Sequence, residues 1–416
     1  MTSDDMQQGN RLDFGALGIA NPPECWVELL DDSQRLYPGR DWIDFDQNLI
    51  KVLNDLTELP EEFVDLLSQT LEAVTEDHNL NRLAWLWHYL LFIRQEGESG
   101  SWPLPNSLPQ HLKVMFPAVI VISGIPEFLE IHECLAIPEA ITRSCLTDIG
   151  IWADDYRNAH GHWGFSQTGW LQQTLIGQLF RLGRLQFMHI EYPSIFNVYR
   201  NRKDSKILAL AGDGMRFRLD GKVDGTNGII DENAWTATLE TTSEIVKGYP
   251  ISSDGRTVNK LITLKLDEWE QLLGNGMGVL DVHIPAGAKM DYDECVESYR
   301  LANEFFPKYF PDQKFTGYIC TSWLLDPNLQ NILPPEANIV RFQKEFYLMP
   351  VLSSDNQTFE RVFGSKPKDL ATAPRDTSLR RAILDYVLAG NHVHQGFGFI
   401  PGDEVGSGHR YYKNKD

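Results

Sequence analysis

Up to about residue 160 the apolar positions of this chain recur at three- and four-residue spacing, and beyond about residue 185 they alternate or run in short blocks. The first pattern belongs to amphipathic helices, the second to strands. Helices are predicted over residues 21–36, 45–56, 60–76, 79–95, 108–121, 124–135 and 138–157. Asn21 and Pro22 offer an N-cap and a first-turn proline to the first of these. Phe63, Leu66, Leu67 and Leu71 form a single stripe that neighbouring helices must cover. One more helix is predicted over 167–183, after the segment "DYRNAHGHWGF".

Short strand-like runs follow: "RLQFMHIEY", "IFNVYR", "KILALAG", "MRFRLDG", "AWTATLET", "SEIVKGY" and "KLITLKL", several separated by Asp-Gly turns. From residue 278 the order becomes strand (278–284), helix (291–306), strand (315–322), short helices (327–332, 338–345), strand (346–351), helices (357–363, 377–389) and strand (394–400). Hairpins followed by alternating strands and helices imply a mixed sheet with helices on its faces. The expected class is α+β, with an all-helical domain over 1–160 and a mixed-sheet domain over 161–416.

Composition narrows the function. The 42% hydrophobic and 23% charged residues are those of a globular protein of two or three domains. With 37 basic against 58 acidic residues the net charge is -21, which repels nucleic acid and anionic membrane, so neither is expected as a partner. The same field disfavours a phosphorylated cofactor unless local cations override it. Met1–Gly15 has no apolar core of a signal peptide, which points to the cytoplasm. The apolar run Leu83–Ile93 is too short to span a bilayer and reads as a buried helix. Five scattered cysteines without a CxxC pair indicate neither a disulfide framework nor a zinc knuckle.

"FRLGRLQF" (180–187) and the long stretch from "HIPAGAKMDYDEC" through "CTSWLLDP" to "RFQKEF" carry a resemblance. They are similar to a bacterial family of acyltransferase domain-containing proteins, in which a helical N-terminal domain precedes a GNAT-like C-terminal one. The resemblance implies an acyl-CoA-dependent N-acyltransferase, with acyl-CoA or acetyl-CoA as co-substrate, an amine acceptor and no metal.

The residues have their own reading. In "GVLDVHIP" alternation puts Val279, Asp281 and His283 on one face, so polar groups interrupt a strand that burial on both sides would keep apolar. His283, at the strand's C-terminal end, is the candidate base that takes a proton from the amine, and Asp281 a substrate contact. Ala286, Gly287, Ala288 and Lys289 form a small-residue turn before the next helix and are the candidate cofactor-binding residues. The (Q/R)xxGx(G/A) pattern that the resemblance implies is missing there. Asp291, Asp293 and Glu294 put carboxylates in the first helical turn, where they suit a capping box and oppose a diphosphate.

In "CTSWLLDP", Cys320 and Ser322 are candidates to line an acyl pocket and Trp323 to pack against a pantetheine arm, while Asp326 and Pro327 read as a helix start. No tyrosine stands out as a general acid. Arg341, Lys344, Arg380 and Arg381 are candidates for a cationic pocket. His160 with His162 and His392 with His394 are His-x-His pairs of the kind that bind zinc. Three readings stay open: an acyl-CoA-dependent N-acyltransferase, a non-catalytic GNAT-like binding module, and a metal-dependent hydrolase.

Overall fold

The computed structural model describes residues 11–43, 57, 59–96, 102–193 and 196–405, so the helix expected over 45–56 lies outside the described residues. The chain divides into two compact units, Met1–Arg181 with Pro285–Gly287, and Leu182–Ile284 with Ala288–Asp416. This division comes later than residue 160 because the following helix packs on the helical unit's own elements.

The first unit contains α1 (Glu24–Arg35), α2 (Glu61–Glu76), α3 (His78–His88), α4 (Phe116–Ser123), α5 (Ile125–Cys134), α6 (Glu139–His160) and α7 (Thr168–Leu175). The side chain of Asp77 caps α3 by accepting from the N–H groups of Asn79 (2.8 Å) and Leu80 (2.9 Å). From Leu80 to His88 every residue of α3 is buried, the polar Asn81, Arg82 and His88 included. A π-helical turn over Tyr89–Arg94 continues it and stops at Gln95, whose φ is 56°.

One sequence expectation changes here. The helix over 167–183 ends at Leu175, because Gly177 turns to φ 71° and the alternating residues beyond it form a strand. Leu83–Phe92 is buried in α3 and the turn after it, as expected, and a second apolar stretch, Gln110–Cys134, has a window of mean hydropathy 1.8. By length and composition it could cross a membrane, yet 72% of its apolar window is buried in the protein, and Pro117 and Pro126 sit in the first turns of α4 and α5.

Strand β1 (Leu179–Leu182) spans the division. The second unit continues with β2 (Leu185–Glu191), β3 (Asn197–Asn201), β4 (Ile207–Leu210), β5 (Pro250–Ser252), β6 (Arg256–Thr257), β7 (Trp269–Leu273), β8 (Gly278–His283), β9 (Gly317–Ser322), β10 (Tyr347–Pro350) and β11 (Gly396–Pro401). One sheet runs β2-β8-β9-β11-β10 and another β6-β5-β4-β3-β7. Val198, Ile251, Val279, Ile319, Met349 and Phe399 from the two sheets share one apolar core. Helix α8 (Tyr292–Tyr309) connects β8 to β9 and continues past Pro307, beyond the expected end at 306. Three later helices, α9 (Asn338–Gln343), α10 (Asn356–Phe363) and α11 (Ser378–Leu388), follow the expected order.

Candidate active site

Strand β8 lies between two neighbours and treats them differently. It pairs antiparallel with β2 along its whole length, from Gly278 opposite Glu191 to His283 opposite Gln186. With β9 it pairs in parallel only at Leu280–Tyr318 and Asp281–Ile319. Meanwhile β9 stays paired to β11 from Gly317–Pro401 through to Ser322–Gly396. Each strand therefore follows its outer neighbour, and β8 and β9 part beyond Asp281 and Ile319. The opening faces the C-terminal ends of a parallel pair, where the backbone groups released from the ladder and the following loops can meet a ligand.

The side chains follow the alternation. Leu280 and Val282 are buried on the face shared with Phe187 and Tyr318, whose rings pack against Tyr299 of α8. On the other face Val279 joins the apolar core, while Asp281 and His283 are only 22% and 27% exposed at the mouth of the opening. His283 Nε2 lies 3.3 Å from Asp281 Oδ2. A carboxylate there can orient the imidazole ring.

The chain then turns into α8. Ala286, Gly287, Ala288 and Lys289 are exposed, and Gly287 has φ 94°, a conformation that a side chain would strain. Asp291 accepts from the N–H groups of Asp293 (3.0 Å) and Glu294 (3.1 Å), so the acidic cap expected from the sequence forms. Only half of the capping box is made, because the Asp291 N–H donates to the Lys289 carbonyl at 3.0 Å.

Behind this turn stands Arg184, 6% exposed. Its guanidinium donates to the Lys289 carbonyl (3.0 Å) and the Ala288 carbonyl (2.9 Å). Its backbone N–H donates to Ser298 Oγ at 2.8 Å, and Gly183 lets this approach happen, since a Cβ there would come within 2.9 Å of the same oxygen. The carbonyls are thus held on a cation, while the N–H groups of Ala288, Lys289 and Met290 have no hydrogen-bond partner among the described residues. Arg341 adds charge 3.7 Å from Asp293 and stacks 4.0 Å from the Tyr292 ring centre. A buried cation and unused amides offset the three carboxylates that argued against an anion.

Comparison with known proteins bears on this geometry. Residues 179–400 match the GNAT-like C-terminal domain, and residues 47–177 match the N-acyltransferase N-terminal domain. The chain belongs to the GNAT-like C-terminal domain family. It is similar to a solved acyltransferase in complex with decanoyl-CoA, at 21% identity and a TM-score of 0.59 over 93% of this chain and 98% of that one. A mutant acyltransferase bound to octanoyl-CoA, and an acyltransferase bound to decanoyl-CoA and teicoplanin, each match at 20% identity and a TM-score of 0.59 over the same shares. No curated protein matches the chain.

Within this GNAT-like fold the other candidates separate from His283. Cys320 and Ser322 point to the opposite face of β9 from Ile319, the partner of Asp281. Cys320 is fully buried near Cys295 and Tyr299, and burial pushes its thiol well above the ordinary range, with the Asp281 charge adding to the effect. Ser322 Oγ accepts from the Leu324 N–H at 3.2 Å and caps a short turn. Trp323 packs against Phe359, Val362, Ile383 and Val393. The exposed β9 residue on the face of Asp281 and His283 is Thr321.

Arg341 reaches the start of α8, but Arg380 instead pairs with Asp376 at 2.9 Å and donates to the Val362 carbonyl. His160 and His162 flank the Tyr156 ring, and His394 lies against Asp326. Among the described residues no group of three or more His, Cys, Asp or Glu side chains is placed to hold a metal ion. Sequence reasoning missed Thr321 and Arg184. Strand alternation carried through β9 would have found the first, and the Gly-Arg step in "FRLGRLQF" is the signal for the second.

Proposed function

We propose that this chain is an acyl-CoA-dependent N-acyltransferase whose reaction takes place where β8 and β9 part. The observation that carries this reading is that opening, with Asp281 and His283 at its lip and the Arg184-backed turn beside it. The unused amides of Ala288, Lys289 and Met290 suit the phosphates of CoA, and Ala286, Gly287 and Lys289 keep the turn open to solvent. His283 takes the proton from the acceptor amine as its nitrogen attacks the thioester carbon; the C–N bond forms, the C–S bond breaks, and CoA leaves as the thiolate. Thr321, in place of Cys320 and Ser322, faces the reacting groups. Relatives bound to decanoyl-CoA and octanoyl-CoA support a medium-chain acyl donor.

The acidic first turn of α8 favours a second reading, a GNAT-like module that binds without turnover. Thermal-shift titration with decanoyl-CoA, acetyl-CoA and free CoA tests the first. A ligand at 100 times its Kd stabilises by about 2.7 kcal/mol, and Arg184→Met should weaken every CoA species. No shift with any of them overturns the proposal; a shift without CoA release in the presence of amines leaves the binding module.

A further inference from the structure

Helix α3 buries a cation that its surroundings leave unneutralised. Arg82 is 7% exposed, yet its guanidinium donates no hydrogen bond and makes no ion pair among the described residues. Its contact is with the Tyr37 ring, whose centre lies 4.0 Å from the guanidinium carbon. Burial lowers the Arg82 pKa, and only Tyr37 opposes the shift. Such a stack contributes about 0.5–2 kcal/mol, whereas drawing a charge out of water costs several kcal/mol. The ring offsets only part of that cost. Of the guanidinium nitrogens, Nε is closed off without a partner, and the two terminal nitrogens reach the surface. We propose that Arg82, seated on Tyr37, is a binding site on the helical unit for the oxyanion of a ligand, a carboxylate or a phosphate, an inference that does not rest on the acyl-transfer reading. The planar fork of N–H donors matches either group through two parallel hydrogen bonds.

The site is built before any ligand arrives. The Tyr37 hydroxyl donates to Asn81 Oδ1 at 2.6 Å, Trp42 Nε1 donates to the same oxygen at 3.1 Å, and Asn81 Nδ2 donates to the Arg40 carbonyl at 3.1 Å. These bonds tie the segment 37–42 to α3 and fix the ring on which the guanidinium lies, which lowers the ordering cost of binding. The local field favours an anion as well. Arg40 is a second cation acting on Tyr37, against the one carboxylate of Asp41, and its guanidinium is held by the Thr75 carbonyl at 2.7 Å and the Glu76 carbonyl at 3.3 Å. Arg82 stands in the second turn of α3, and helical side chains lean toward the N-terminus, so its head lies over the positive end of the helix dipole. The Asp77 carboxylate at that end is engaged with the Asn79 and Leu80 N–H groups.

Calorimetric titration of the full chain with inorganic phosphate and, separately, with acetate at constant ionic strength tests this, repeated on Arg82→Met and Arg82→Lys. At least one anion should bind the unaltered protein, and Arg82→Met should weaken it by about tenfold to a hundredfold, as loss of a charged hydrogen-bonding partner predicts. Arg82→Lys, which keeps the charge and loses the fork, should fall between the two. Binding of both anions assigns the site to oxyanions in general, of phosphate alone to a phosphoryl ligand, and of acetate alone to a carboxylate ligand. No binding of either anion overturns the proposal. So does an affinity unchanged in Arg82→Met, which is the result expected if phosphate sits on the turn before α8 instead. Should Arg82→Met fail to fold, an unchanged affinity in Arg82→Lys overturns the proposal by itself.

Discussion

Two histidine–aspartate pairs stand at the same end of the sheet with the same separation, 3.3 Å, and are built for different work. His283 and Asp281 alternate on one strand and are 27% and 22% exposed beside the parting of β8 and β9. His394 and Asp326 come from distant segments and are 8% and 1% exposed. Asp326 is already engaged, accepting from the N–H groups of Asn328 and His394, each at 2.9 Å. His394 Nδ1 donates to the Gln395 carbonyl at 2.7 Å, so both partners of this pair are locked to backbone. Burial pushes the Asp326 carboxyl above its ordinary range against the pull of His394. Distance alone does not distinguish a proton-transfer pair from a clamp. Exposure does.

The largest effect expected from this contrast is on rate. His283→Ala should lower acyl transfer by about a hundredfold to ten-thousandfold, read as CoA thiol release, while changing stability by less than about 1 kcal/mol. Unchanged turnover removes His283 from the chemistry. Asp326→Ala should do the reverse, costing about 3–5 kcal/mol in denaturant unfolding because it strands His394 and two buried N–H groups. A variant as stable as the parent would erase the distinction.

His132 sharpens the comparison by having no carboxylate at all. It packs 4.0 Å from the Phe128 ring and bonds Thr142 Oγ1 at 2.8 Å. Burial pushes its pKa down from 6.5 to about 4. Between those values the unfolded chain binds the extra proton, so this contribution to stability is complete above pH 6.5 and is lost as the pH falls toward 4. The loss amounts to about 3 kcal/mol, and His132→Gln should flatten that part of the stability profile. The smallest effect belongs to Cys320→Ala, expected to leave transfer within about twofold, because an inert thiol on the far face of β9 takes no part; a large loss would return Cys320 to the acyl pocket.

Much of this was legible in one dimension. Alternation in "GVLDVHIP" exposed Asp281 and His283, and Asp291 declared the cap of α8 from its residue type and position. Pro307 misled because it lies in the last turn of α8, where packing of Phe305 and Phe306 carries the helix through it. Asp326 read as the cap of a helix start, and its Oδ1 does accept from the Asn328 N–H although the helix begins only at Leu329; what the sequence did not show is that its other oxygen accepts from the His394 N–H. The strand Trp269–Leu273 escaped notice because its glutamate and glutamine leave no clear alternation.

The sequence by itself determined the helical first part, the mixed sheet and the polar face of β8, because period and turn chemistry are local properties. Only the tertiary structure decided that β8 and β9 part after Asp281, that Arg184 reaches the turn across more than a hundred residues, and that Cys320 faces away from His283. Register and contacts between distant segments depend on which strands and helices bury one another, and no local pattern encodes that choice.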